Sequence, residues 1–147
     1  MQTQAKRGDC VVLDTNIVLD VFVFSDAAAN PLRQALKARE LDWVATQAMR
    51  EELARVLAYP QIVARLNFYK LAADDVLAGF DQHARLRDAP AKAPVTCSDA
   101  DDQMFIDLAV AHKAWLLSKD QAVLCMKKRL LALDVRAQPA INSVANT

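Results

Sequence analysis

Short apolar runs alternate along this chain with stretches whose apolar residues recur at helical spacing. The run Cys10-Val11-Val12-Leu13 stops abruptly at Asp14-Thr15-Asn16 and predicts a first strand over 10–13. Asn30-Pro31 predicts an N-cap followed by proline at the first helical position, opening a helix through about Glu40. Trp43-Val44-Ala45 predicts a second strand, and Thr46 is placed to cap a helix whose Met49, Leu53, Val56 and Leu57 fall on one face. Pro60 stops that helix and opens another, with Ile62, Leu66 and Tyr69 aligned; residues 72–87 predict a further helix with Val76, Phe80 and Ala84 in register. Pro90 and Pro94 make 88–98 a loop with room for a brief strand. Ser98 or Asp99 then begins a helix carrying Phe105, Leu108, Ala109 and His112, followed by a strand over 114–117, a helix over 120–130 and a last short strand around Val135.

Alternation of strand and helix predicts an α/β fold: three layers, α/β/α, around a central, mainly parallel sheet of about four to five short strands with right-handed crossovers. The length, 147 residues, suits one domain with a real core, flanked by polar tails at 1–8 and 140–147. No repeat or linker divides it.

Composition narrows the chemistry. Lys+Arg and Asp+Glu are equal at 18 each, so there is no broad basic footprint, and any nucleic-acid contact has to come from a local patch. Gly8 and Gly79 are the only glycines, which excludes glycine-rich phosphate loops. The cysteines Cys10, Cys97 and Cys125 are odd in number and lack metal-site spacing; with no apolar leader at the N-terminus and no run long enough to span a bilayer, they read as small hydrophobes of a reducing, cytoplasmic protein without membrane contact. His83 and His112 lie far apart and near no cysteine, which argues against a zinc site, and His112 reads as a core or rim residue.

The acids carry the functional signal. Asp14 and Asp120 each end a strand, in Val11-Val12-Leu13-Asp14 and Trp115-Leu116-Leu117-Ser118-Lys119-Asp120, at the sheet edge where α/β proteins bind ligands. Asp99, Asp101, Asp102 and Asp107 crowd one helix start with no cation among them. Capping and the helix dipole use one or two acids; a third adds repulsion that a bound cation would relieve. Asp102 is read as a metal ligand, Asp99 and Asp101 as caps, and Asp107 as outside the chemistry. Glu51 is set to pair with Arg55 on the solvent face, whereas Glu52 lies on the flank of the buried stripe. Asn16 either caps the next helix or orients a metal ligand's water, and Thr15 and Ser118 are placed to orient neighbouring carboxylates. An all-oxygen donor set suits Mg²⁺ or Mn²⁺.

With these residues in view, VVLDTNIVLD, TQAMREELARVLAYP, DADDQMFIDLAVAHKAWLLSKD and LDVRAQPA, in that order, resemble a PIN-domain protein, and most of all the bacterial VapC-like branch of toxin–antitoxin ribonucleases. The resemblance implies a PIN-like fold and a metal-dependent endoribonuclease that hydrolyses RNA phosphodiester bonds. It implies four acids around one or two Mg²⁺ or Mn²⁺ ions, which carry over as Asp14, Glu52, Asp102 and Asp120. Ser118 stands where the family's last motif has threonine, with the hydroxyl retained. It also implies a cognate antitoxin and a homodimer, for which the helices around Ile62, Leu66, Phe68 and Tyr69 offer surface. Arg50, Lys119 and the run Lys127-Lys128-Arg129 are candidates for the RNA backbone; the run equally suits a helix C-terminus. Two rival readings stand beside this one. A non-cleaving PIN-like module would bind RNA or protein without needing converging acids. A haloacid-dehalogenase-like phosphatase would want an acid where Asn16 stands.

Overall fold

The computed structural model describes residues 4–24, 26–142 and 144–145. Five short strands form one parallel sheet in the order β4-β3-β2-β5-β6: β2 (Cys10–Leu13) is central, β3 (Asp42–Ala45) and β4 (Arg85–Leu86) lie on one side, and β5 (Trp115–Leu117) and β6 (Arg136–Gln138) on the other. The chain therefore builds outward from β2 first in one direction and then in the other. The reversal lies between β2 and β5, paired in the register Val11↔Trp115, Val12↔Leu116, Leu13↔Leu117. Val11, Val12, Leu116 and Leu117 are completely buried, as expected of strands covered on both faces. This is the α/β architecture, with a mainly parallel sheet, that the alternating pattern predicts.

Several boundaries differ from the sequence reading, each for a local reason. A helix not delineated from the pattern, α1 (Thr15–Phe22), follows β2 directly, and Asp14 caps it. Asn30 is not the cap of α2 (Asn30–Lys37); Ala29 holds that position, at the end of a 3₁₀ turn, Ala27–Ala29, itself capped by Asp26, while the Asn30 amide oxygen accepts from Arg33. That helix stops before Glu40 because Arg39 turns left-handed, at φ 55°. Thr46 caps α3 (Gln47–Leu57) as expected, and Met49, Leu53 and Leu57 form its buried stripe. Pro60 opens α4 (Pro60–Phe68).

The helix expected over 72–87 ends sooner. α5 spans Ala73–His83, Ala84 is extended, and Arg85–Leu86 pair with Val44–Ala45 as the edge strand β4. Arg85 secures that edge with two 2.8 Å bonds to Asp42. The loop expected to hold a brief strand, 88–98, contains none. α6 (Gln103–His112) leads into β5. The single helix expected over 120–130 is two, α7 (Gln121–Leu124) and α8 (Lys127–Leu131); Lys127 opens the short α8, and Lys128 and Arg129 lie in its last turn, in keeping with the helix C-terminus reading. β6 begins just after Val135, beyond a left-handed Asp134 at φ 65°. Within the segments read as polar tails, β1 (Ala5–Lys6) pairs in parallel with β7 (Val144–Ala145). Among the described residues no helix is long and apolar enough to cross a membrane.

Candidate metal centre

The reversal point of the sheet delivers two acids to one place. The Asp14 N–H donates to the Leu117 carbonyl at 3.0 Å, prolonging the β2–β5 ladder by one residue. Its carboxylate then turns two ways. Oδ1 accepts from the Asn16 N–H at 3.0 Å, capping α1, and Oδ2 accepts from the Ser118 hydroxyl at 2.7 Å. The same Ser118 oxygen accepts from the Asp120 N–H at 3.0 Å, and Asp120 caps α7 through Ala122 N–H at 2.9 Å. One fully buried hydroxyl thus ties the two strand-ending acids together.

Asp102 supplies the third carboxylate. It ends the 3₁₀ turn Ala100–Asp102 and occupies the N-cap position of α6, yet its side chain makes no capping bond. Asp99 caps the preceding 3₁₀ turn, accepting from the Asp101 N–H at 3.0 Å, and Asp101 is exposed. Asp102 instead joins the other two: one carboxylate oxygen from each of Asp14, Asp102 and Asp120 lies within 4.8 Å of the others. Asp14 is 5 % exposed and Asp102 8 %.

Three acids at such range repel one another when ionised. Burial pushes the Asp102 carboxyl up to about 8, and its hydrogen bond with Asp120 and the charges of Asp14 and Asp120 act in the same direction. Protonated Asp102 donates to Asp120, which is held low by that bond and by Ala122. Burial also raises Asp14, against the lowering effect of the Ser118 and Asn16 bonds. Among the described residues the buried Asp102 Oδ2 has no partner. An all-oxygen set with surplus negative charge and an orphaned buried acceptor is what a hard divalent cation satisfies, so the residues fit such an ion.

Glu52 stands beside this cluster and not within it. It is half-buried on α3 and accepts a short hydrogen bond from the Thr15 hydroxyl; burial, and then the Asp14 charge, raise its pKa. Thr15 was expected to orient the acid next to it in sequence, but it reaches across to Glu52 instead. Asn16 does not cap α1, since Asp14 does; its side chain is exposed. Asp107 accepts from the Ala93 N–H at 2.9 Å and from Gln103 at 2.8 Å, fastening the 88–98 loop to α6. Glu51 is exposed, and none of the ion pairs among the described residues joins it to Arg55.

The cations picked from the sequence divide. Arg50 is committed to a two-bond pair with Asp81 at 2.7 and 2.8 Å, linking α3 to α5. Lys119 pairs with Asp20, an acid the sequence reading passed over although it interrupts the apolar face of α1; it is 5 % exposed. Lys127, Lys128 and Arg129 are exposed and belong to none of the ion pairs among the described residues. Cys97 is buried, but Cys125 is exposed and does not serve as a core residue. His112 is partly buried, in keeping with a rim position. A cavity of about 330 Å³ lined by Lys6, Asp9, Trp115 and Arg136 opens at the other end of the strands and has no part in the carboxylate site.

No curated protein matches the chain. A family model for the PIN domain matches residues 10–122, which takes in β2 with Asp14, the α3 glutamates, the Asp102 turn and the β5 exit with Asp120. PIN domains are typically metal-dependent nucleases, and the three-carboxylate cluster suits that chemistry. By its parallel sheet, the placement of its acids and this match over most of its length, the chain belongs to the PIN-domain family.

Proposed function

We propose that this chain is an endoribonuclease dependent on Mg²⁺ or Mn²⁺, with Asp14, Asp102 and Asp120 as the metal-holding residues and Glu52 as the fourth acid of the site. The observation that carries the reading is the convergence of three carboxylates, one of which, Asp102, keeps a buried oxygen without a partner among the described residues. A divalent cation there supplies Lewis-acid activation of the attacking water and offsets the charge of the phosphodiester. The chain's own residues do the positioning. Ser118 fixes the direction of Asp14 and, through the Asp120 N–H, the path of the loop that carries Asp120. Thr15 holds Glu52 one residue from Asp14. Glu52 has its pKa raised by burial and by Asp14, which suits a proton acceptor at the rim of the site.

The reading continues to RNA, to the VapC-like toxin role and to a cytoplasmic setting. Exposed Lys127, Lys128 and Arg129 on α8 offer backbone contacts without a competing partner among the described ion pairs. A cognate antitoxin would silence the site by offering a basic side chain to the acids. A homodimer has surface available on α4 and just before it, where Phe68 is 77 % exposed and Tyr59 47 %, although Leu66 is taken up by the core. The test is cleavage of a structured RNA with added Mg²⁺ or Mn²⁺, by the wild type and by Asp14→Asn. The wild type is expected to cut, chelation to stop it, and the folded variant to lose at least about a thousandfold in rate. Equal activity in Asp14→Asn would remove the assignment.

A further inference from the structure

Asp20 is a buried carboxylate that the nuclease reading does not use. It lies on α1, six positions beyond Asp14, with its side chain 7 % exposed and its carboxylate 2.5 Å from the ammonium of Lys119. Its backbone is fixed independently: the Asp20 carbonyl accepts from the Arg33 guanidinium at 3.0 Å and from the Asp26 N–H at 3.3 Å. Lys119 sits between Ser118 and Asp120, both already bound into the carboxylate cluster. Its charge reaches that cluster: burial raises the Asp14 carboxyl and the Ser118 and Asn16 bonds lower it, and the Lys119 ammonium adds a smaller lowering. A flexible ammonium beside three converging carboxylates is drawn toward them, and on arrival it would do electrostatically what a divalent cation does.

We propose that Asp20 is a positioning residue that sequesters the Lys119 ammonium, keeping it from occupying the Asp14–Asp102–Asp120 cluster in place of the metal. The inference rests on the metal-centre reading. Burial of Asp20 leaves few waters to compete for its carboxylate, so the pair is held more firmly than an exposed ion pair would be. The anchored backbone keeps the acceptor in place, while Lys119, 48 % exposed, is the less enclosed partner.

The experiment is Mn²⁺ binding to the full chain, followed by the spin-resonance signal of the free ion, for wild type, Asp20→Asn, Lys119→Met and the double variant. Asp20→Asn is expected to weaken Mn²⁺ about tenfold or more. Lys119→Met should bind at least as tightly as the wild type, since no ammonium remains to compete. The double variant should recover wild-type affinity, a recovery that mere loss of a structural ion pair would not give. An unchanged Asp20→Asn, or a double variant as weak as Asp20→Asn, overturns the proposal. Should Asp20→Asn not fold, Lys119→Met decides: a tenfold loss of affinity there refutes sequestration, and retained affinity supports it. Failure of the underlying reading shows differently, as Mn²⁺ binding by the wild type that Asp14→Asn does not abolish.

Discussion

At the scale of single residues, the site is governed by which polar atoms are spoken for. Ser118 Oγ both donates to Asp14 and accepts from the Asp120 N–H, and it is fully buried. Ser118→Ala leaves an N–H and a carboxylate oxygen without that partner, at a cost of about 1–3 kcal/mol in stability, and should reduce Mn²⁺ affinity or activity about 10–100-fold. Thermal unfolding and metal titration of the one variant measure both. Asp102 sets the pH behaviour. Its carboxyl is pushed up to about 8 in the folded chain from an ordinary value of 3.8, so the folded state binds this proton more tightly than the unfolded one. Its contribution to the stability of the metal-free protein is therefore fully present below about pH 4 and is lost as pH rises toward about 8. A cation has to displace the same proton. Mn²⁺ affinity should rise by up to about tenfold per pH unit and flatten above about pH 8. A flat profile over that range would contradict the placement of the proton on Asp102.

At the scale of elements, packing decides where local preference points the other way. Gly79 lies in α5, where alanine is favoured by about 1 kcal/mol on helix propensity alone. A Cβ there would stand 2.9 Å from Phe22 Cε1, and Phe22 is stacked between Trp43 and His83, at 6.1 and 6.2 Å between ring centroids. The ring has little room to yield, and overpacking of this kind costs about 1–3 kcal/mol. Gly79→Ala should thus lower the melting temperature, while a compensating Phe22→Leu in the same chain should recover part of the loss. Helix starts were legible where a side-chain cap or an early proline marks them, at α2, α3 and α4. What misled was the helical period continuing through residues 84–87, where Arg85 and Leu86 pair as a strand: pairing with Val44 and Ala45 outweighs local pattern over so short a segment, and the partner is remote in sequence. The break between α7 and α8 was hidden for a similar reason, since Val123, Met126 and Leu130 keep a helical spacing across it and all face the core.

For the whole molecule, function follows from topology. The chain runs from β2 outward to β3 and β4, returns to β5 on the other flank, and leaves a crevice at the carboxyl ends of β2 and β5, where open parallel sheets bind ligands. Asp14 and Asp120 were readable as partners because both end apolar runs, and two adjacent parallel strands must present their ends together. Asp102 was separable from its acidic neighbours only by the like-charge argument; the structure adds that Asp99 caps the 3₁₀ turn while the Asp102 side chain makes no capping bond. Glu52 and Asp20 were harder. The Thr15–Glu52 bond and the Lys119–Asp20 pair join residues far apart in sequence, and no periodicity reports on such contacts. The most direct measurement of the central claim is anomalous diffraction from crystals soaked in Mn²⁺. A single dominant peak bonded to carboxylate oxygens of Asp14, Asp102 and Asp120, and absent from Asp14→Asn crystals, is the predicted result. A peak held by other residues, or no peak at Mn²⁺ concentrations that support RNA cleavage, would contradict it.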